Sequence, residues 1–307
     1  MARRALAGLT EAGSVVVATI SVTIFVTLKL QRLSPATALK PHRLHSITHT
    51  TSQSVPKMAT TMSTESSSMK DAFSKHTDYL NNLNDKRERV VKASRDITIN
   101  SKKVIFQVHR ISKHNKEEVL QKAEKDLVAV TDRYISRLVR ELQGTDFWKL
   151  RRAYSPGVQE YVEAATFCKF CRTGTLLSLD EINATLLPLS DPSLEPLQIN
   201  VLDYLLGLAD LTGELMRLAI GRISDGEREF ADKICKFVRE IYRELTHVVP
   251  LMDDSSDMKL KMDTMLQSVM KIENACFGDH VRRSEYMPLP GSDDQTSFLL
   301  AVPDVEI

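Results

Sequence analysis

The stretch "LNNLNDKRERVVKASRDITINSKKVIFQVHRI", Leu80 to Ile111, decides the fold class. Leu80, Leu83, Val90, Val91, Ile97, Val104, Ile105, Val108 and Ile111 recur at spacings of three, four and seven, the period that lines one face of an α-helix. No proline or glycine interrupts the run, so the pattern predicts one long amphipathic helix ending near Ser112. Between Lys86 and Arg110 it carries Lys86, Arg87, Arg89, Lys92, Arg95, Lys102, Lys103 and Arg110 against Glu88 and Asp96 alone. On the residues by themselves, that basic stripe is either a solvated face or a surface that holds phosphates without reading sequence.

The same period continues downstream. A second helix is expected from Lys116 to Leu142, stopped by Gly144, and a third from near Asp146 to Thr173, stopped by Gly174, with a kink or break at Pro156. Ser178 with Glu181 three residues on forms a capping box for a short helix, and Pro188, Pro192 and Pro196 then punctuate a loop. Three more helices follow, Leu202 to Arg222, Gly226 to His247 and Asp254 to Arg283. No region alternates with period two. The fold class is therefore all-α, a seven-helix bundle with a long first helix and connections short enough for antiparallel packing.

Upstream the composition changes. Residues 1–57 carry seven Lys or Arg against Glu11 alone, leaving 34 basic and 39 acidic residues for the remainder, so any nucleic-acid surface on the body is a local patch and not a global field. "AGSVVVATISVTIFVTL", Ala12 to Leu28, is 17 residues without a charge, at the lower edge of what spans a bilayer. Three readings stand: an organelle-targeting leader, a marginal anchor, or an extension of the reading frame ahead of a start at Met58. The domain plan is a disordered or targeting-like leader over 1–68, a helical domain over 69–287 that has no membrane role, and a loose tail over 288–307.

The four cysteines are too few for a disulfide scaffold. Cys168 and Cys171, in "CKFC", lack a second ligand pair at zinc spacing and read as reduced helix residues of an intracellular chain, cytoplasmic and nuclear unless the leader redirects it. No phosphate loop, dinucleotide fingerprint, zincin motif or serine-hydrolase elbow occurs, which removes the sequence case for those classes.

What remains is acid on apolar helices. "VQEYVEAATF", Val158 to Phe167, sets Glu160 and Glu163 three apart, within about 60° on one helix face. "DYLLGLADLTGELMRL", Asp203 to Leu218, sets Asp210 and Glu214 four apart, again among leucines. Either pair alone is ordinarily a solvated face or half of a salt bridge. Together they converge only if the two helices pack face to face, and like charges so placed repel unless a cation lies among them. Oxygen-only ligation suits Mg²⁺ or Mn²⁺, whereas a di-iron bundle wants Glu-x-x-His, which neither Glu160 nor Glu163 begins.

"SRDITINSKKVIFQVHRI", "LQGTDFWKLRRAYSPGVQEYVEAATFCKF", "DYLLGLADLTGELMR" and "KIENACF" together resemble the translin family, on its translin-associated factor X branch, over roughly Asp71 to Arg283. The resemblance implies a seven-helix translin-like fold and a closed hetero-octamer with translin. It further implies a Mg²⁺-dependent endoribonuclease for single-stranded or nicked RNA, as in passenger-strand removal during RNA silencing and small-RNA or tRNA-fragment processing. The alternative is a non-catalytic adaptor that binds single-stranded RNA or DNA within the hetero-oligomer. The family's acidic site falls on Glu160, Glu163, Asp210 and Glu214, every one an acid here. On that basis Glu163 and Glu214 are expected as direct metal ligands and Glu160 and Asp210 as the rest of the shell, with Glu160 the general base.

The basic residues of the first helix are then expected to hold RNA, joined by Arg217, which either reaches a phosphate or pairs with Glu214. Arg133, Arg137, Arg140, Arg151 and Arg152 form a second basic cluster. Trp148 and Tyr161 are expected to pack rather than to stack on bases. His109 and His247 read as ordinary residues, and Met258, Met262, Met265 and Met270 as an adaptable packing or partner surface.

Overall fold

The computed structural model describes residues 62–252 and 256–285, with side chains over 68–252 and 257–282. The apolar run at 12–28, Met58 and the tail from Pro288 lie outside the described residues. The described chain is all-helical. Helix α1 (Met62–Val108) leads to α2 (Lys116–Ala129), which passes through a π turn (Val130–Ile135) into α3 (Ser136–Leu142) as one rod. Then come α4 (Phe147–Thr173), the short α5 (Leu179–Leu186), α6 (Val201–Ser224), α7 (Arg228–Val248) and α8 (Ser256–Glu285). Counting the α2 to α3 rod once, these are the expected seven helices among the described residues.

The apolar stripe of α1 is the inner face of the bundle: Val90, Ile97, Val104 and Val108 are each 1% exposed or less. The stripe outruns the core, however. Residues 68–82 are all exposed, and Leu80, expected inside, is 60% exposed, because nothing among the described residues packs on α1 before Leu83. The helix also starts at Met62, so Ser63–Ser68, expected to be disordered, are helical; with no Pro or Gly there, propagation from the packed part continues backwards at little cost.

Local signals explain the ends. The Asp146 carboxylate accepts from the Trp148 N–H at 3.0 Å to start α4, and Gly174, at a φ of 76°, closes it by donating to the Phe170 carbonyl. Both halves of the Ser178–Glu181 capping box form, at 3.2 and 2.9 Å. Pro156 stays inside α4 without ending it. Its ring leaves the Arg152 carbonyl without an N–H four residues on, and Ser94 of α1 braces this turn: the Gly157 N–H donates to Ser94 Oγ at 3.0 Å, and Ser94 Oγ donates to the Tyr154 carbonyl at 3.2 Å.

Helix α4 is the spine, packed on α1 along one side and α6 along another, while α6 also meets α7 and α8. Two glycines set how close these helices come. A Cβ on Gly157 would lie 2.6 Å from the Ser94 carbonyl oxygen of α1, and one on Gly207 would lie 2.8 Å from the Gln159 carbonyl oxygen and 2.9 Å from Val162 Cγ1 of α4. Backbone blocks both positions, so a methyl is accommodated only by moving helices apart. Gly207→Ala is therefore expected to destabilise by about 1–3 kcal/mol, as overpacking does. Gly213→Ala, on the same helix but facing open space, is expected to stabilise by roughly 0.5–1 kcal/mol through helix propensity. Urea denaturation of both variants checks the contrast.

Candidate active site

Beyond Gly157 on α4 come Glu160 and Glu163, and beyond Gly207 on α6 come Asp210 and Glu214, so the close α4–α6 approach sets both acid pairs beside one another. The charges of Glu160, Asp210 and Glu214 all bear on Glu163. Their surroundings differ. Glu163 is 6% exposed, and no hydrogen bond or ion pair reaches it among the described residues. Burial first, then the neighbouring acids, push its carboxyl from an ordinary 4.5 up to about 9.

The other three acids face basic side chains. Glu160 lies 3.4 Å from the ammonium of Lys102 on α1; burial raises its carboxyl, and Lys102 only partly offsets this. Asp210 accepts from Lys261 of α8 at 2.5 Å. Glu214 receives His109 Nε2 at 2.6 Å and Arg217 Nη1 at 2.8 Å. Burial pushes Glu214 up, yet the His109 hydrogen bond and the Arg217 charge outweigh it and leave this carboxyl below its usual range. As the side chains lie, no three His, Cys, Asp or Glu among the described residues converge on one metal position. The acids share a neighbourhood, and three of them are turned toward cations from α1, α6 and α8.

Under this cluster lies a second network. Asp203, fully buried on α6, accepts from Arg151 Nη2 at 2.7 Å and Nε at 3.2 Å, from Gln159 Nε2 at 3.1 Å and from the Ser155 hydroxyl, all on α4. A buried carboxylate needs this much compensation, and the two-pronged Arg151 contact fixes the register of α6 on α4. The acids further along α4 and α6 inherit that register.

The sequence bears out this family frame. Residues 85–283 match the translin family. The chain belongs to the translin family. It is 38% identical over 232 residues to translin-associated protein X of Rattus norvegicus, covering 70% of this chain and 79% of that one. To the translin-associated protein X homolog of Schizosaccharomyces pombe it is 31% identical over 222 residues, covering 71% of this chain and 90% of the homolog. The solved apo-NeC3PO structure matches with a TM-score of 0.54 at 19% identity, over 67% of this chain and 96% of that one. AfC3PO matches with a TM-score of 0.52 at 21% identity, over 69% and 99%. At these identities the two structures speak for the fold.

The basic residues expected to hold nucleic acid divide in this translin-family chain. Lys86 is turned to Thr145 and the Gln143 carbonyl, Arg89 pairs with Glu141 at 2.9 Å, Lys102 faces Glu160, and Arg217 pairs with Glu214. Arg87, Lys92, Arg95, Lys103 and Arg110 are exposed along and just after α1, with Arg110 resting on the Phe106 ring. Of the second cluster, Arg151 serves Asp203 and Arg137 pairs with Asp96 at 3.1 Å. Tyr161 packs, 3% exposed and bonded to the Thr131 hydroxyl, whereas Trp148, also expected to pack, is 64% exposed. Met258 and Met265 are core, Met262 is half-buried and Met270 exposed.

Three site residues escaped sequence reasoning: His109, Lys261 and Asp203. His109 stands seven residues after Lys102, just past the end of α1, and tilts against Phe167 beside the acids. Lys261 interrupts an apolar face between Met258, Met262 and Met265, and Asp203 precedes Asp210 by seven and Glu214 by eleven; both spacings were available as signals.

One observation suits a divalent ion: Glu163 is buried with no donor among the described residues, and the charges of Glu160, Asp210 and Glu214, oxygen groups of the hard type that Mg²⁺ or Mn²⁺ takes, bear on it. Glu163 also makes stability depend on pH. In the unfolded chain it ionises near 4.5 and in the folded chain near 9, so its contribution is full below 4.5 and is lost as pH rises to about 9. In chelator-containing buffer, Glu163→Gln is expected to be increasingly more stable than the wild type as pH rises through that window. Urea titrations at several pH values measure it, and a gap independent of pH would contradict the assignment.

Proposed function

We propose that this chain is the catalytic subunit of a translin-type, metal-dependent endoribonuclease that acts on single-stranded or nicked RNA within a hetero-oligomer with translin, using Mg²⁺ or Mn²⁺. The observation that carries the reading is Glu163: a buried, donorless carboxylate with three further acids around it, at the positions the resemblance to translin-associated factor X singles out. Such a group is costly in a purely structural bundle and is offset where a cation is bound. RNA as the ligand class is supported by the exposed cations of α1 and by the AfC3PO–duplex RNA complex, which this chain matches with a TM-score of 0.51 at 22% identity.

In this reading Glu163 and Glu214 hold the ion directly, and Asp210 and Glu160 complete its surroundings. The bound ion supplies acidification of water and neutralisation of charge on the phosphoryl oxygens. The chain's own residues supply the rest. His109 donates from Nε2 to Glu214 and fixes that carboxylate's orientation. Glu160, whose carboxyl burial raises, takes the proton from the attacking water. Lys102 and Arg217, each about two-thirds exposed, stand at the solvent edge of the acids, where a phosphate draws them outward. The exposed Arg and Lys of α1 track the rest of the backbone.

One observation favours the adaptor reading instead: three of the acids are already occupied by cationic side chains. A single experiment separates the two. The chain co-expressed with translin is given single-stranded RNA and Mg²⁺, beside Glu163→Gln. Cleavage is expected to fall by roughly 10²-fold or more, as when several kcal/mol of metal stabilisation is lost, while RNA retention on a filter is unchanged. Equal cleavage by both proteins would leave the adaptor.

A further inference from the structure

The cations that face the acids are not equivalent. Lys102 and Arg217 are 65% and 68% exposed and can swing into solvent. Lys261 is 24% exposed, and its ammonium has three acceptors on the two site helices: Asp210 Oδ2 at 2.5 Å, the Leu206 carbonyl at 3.3 Å and Gln159 Oε1 at 3.5 Å. It reaches them from α8, out of a face whose other members, Met258 and Met265, are buried. An ammonium held on three oxygens in a sheltered site occupies the position where a divalent ion would meet Asp210.

We infer that Lys261 is a positioning residue that competes with the divalent ion for Asp210 and so sets the metal affinity of the site; this rests on the metal-dependent reading above. An ion that binds Asp210 either displaces Lys261 from Oδ2 or takes the other oxygen beside it, and in both cases the tether from α8 keeps a unit positive charge close to the ion. Even with water's full screening, a unit charge about 5 Å from a divalent ion changes its affinity on the order of tenfold. Lys102 and Arg217 lack this hold because they leave for solvent freely.

The test is Mn²⁺ binding, followed by electron paramagnetic resonance of the free ion, on the complex co-expressed with translin, with circular dichroism to verify the fold. Lys261→Met is expected to tighten Mn²⁺ binding about tenfold over the wild type, while Lys261→Arg, which keeps the charge, stays near wild type. Lys261→Gln carries the same expectation as Lys261→Met if the latter does not fold. An unchanged or weaker affinity in the neutral variants, with Mn²⁺ still lost in Glu163→Gln, overturns this inference and leaves the metal site standing. Wild type and Glu163→Gln binding Mn²⁺ alike would overturn the metal-dependent reading and the inference together.

Discussion

Everything at the site depends on the distance between α4 and its two neighbours. Gly157 lets the α1 backbone lie against α4, and Gly207 lets α6 do the same from another side, each leaving no room for a methyl group. Between these helices Glu163 is left only 6% exposed. The Ser94 bridge to Gly157 and Tyr154 and the Asp203–Arg151 pair then fix the sliding and rotation that the glycines leave free. Desolvation of one carboxylate is thus a consequence of helix packing, and the chemistry proposed for the chain is a consequence of that desolvation.

The electrostatics follow from the same geometry. Four acids within mutual reach would repel, and the fold answers with Lys102 and His109 from α1 and its end, Arg217 from α6 and Lys261 from α8. Glu214, with two donors, titrates low, whereas Glu163, with none, titrates high. Carboxyls driven apart in this way suit different tasks, one a firm anion and the other a group that ionises only when a positive charge arrives.

Helix existence was legible because the apolar period is strong and the stops are chemical: Gly144 and Gly174 take a left-handed φ, and Ser178 with Glu181 forms its box. The acid pairs were legible for a different reason, since carboxylates at i, i+3 and i, i+4 in leucine-rich runs are conspicuous. What periodicity does not encode is which face meets which helix. His109 looked ordinary because its partner, Glu214, lies 105 residues away. Arg151 looked like one member of a basic cluster because Asp203, which engages it, was hidden in a hydrophobic run. Leu80 obeys the period and is still exposed, since a helix continues past the core it packs on. Trp148 is exposed for the same reason: the pattern records amphipathicity, not the presence of a neighbour.

The central claim is that Glu163 and the acids beside it share a divalent cation. Anomalous diffraction from crystals of the translin co-complex soaked in Mn²⁺ tests it most directly. The account predicts a peak within coordination distance of Glu163 and Glu214, with Asp210 released from Lys261. Saturating Mn²⁺ with no peak there, and Asp210 still on Lys261, would contradict it.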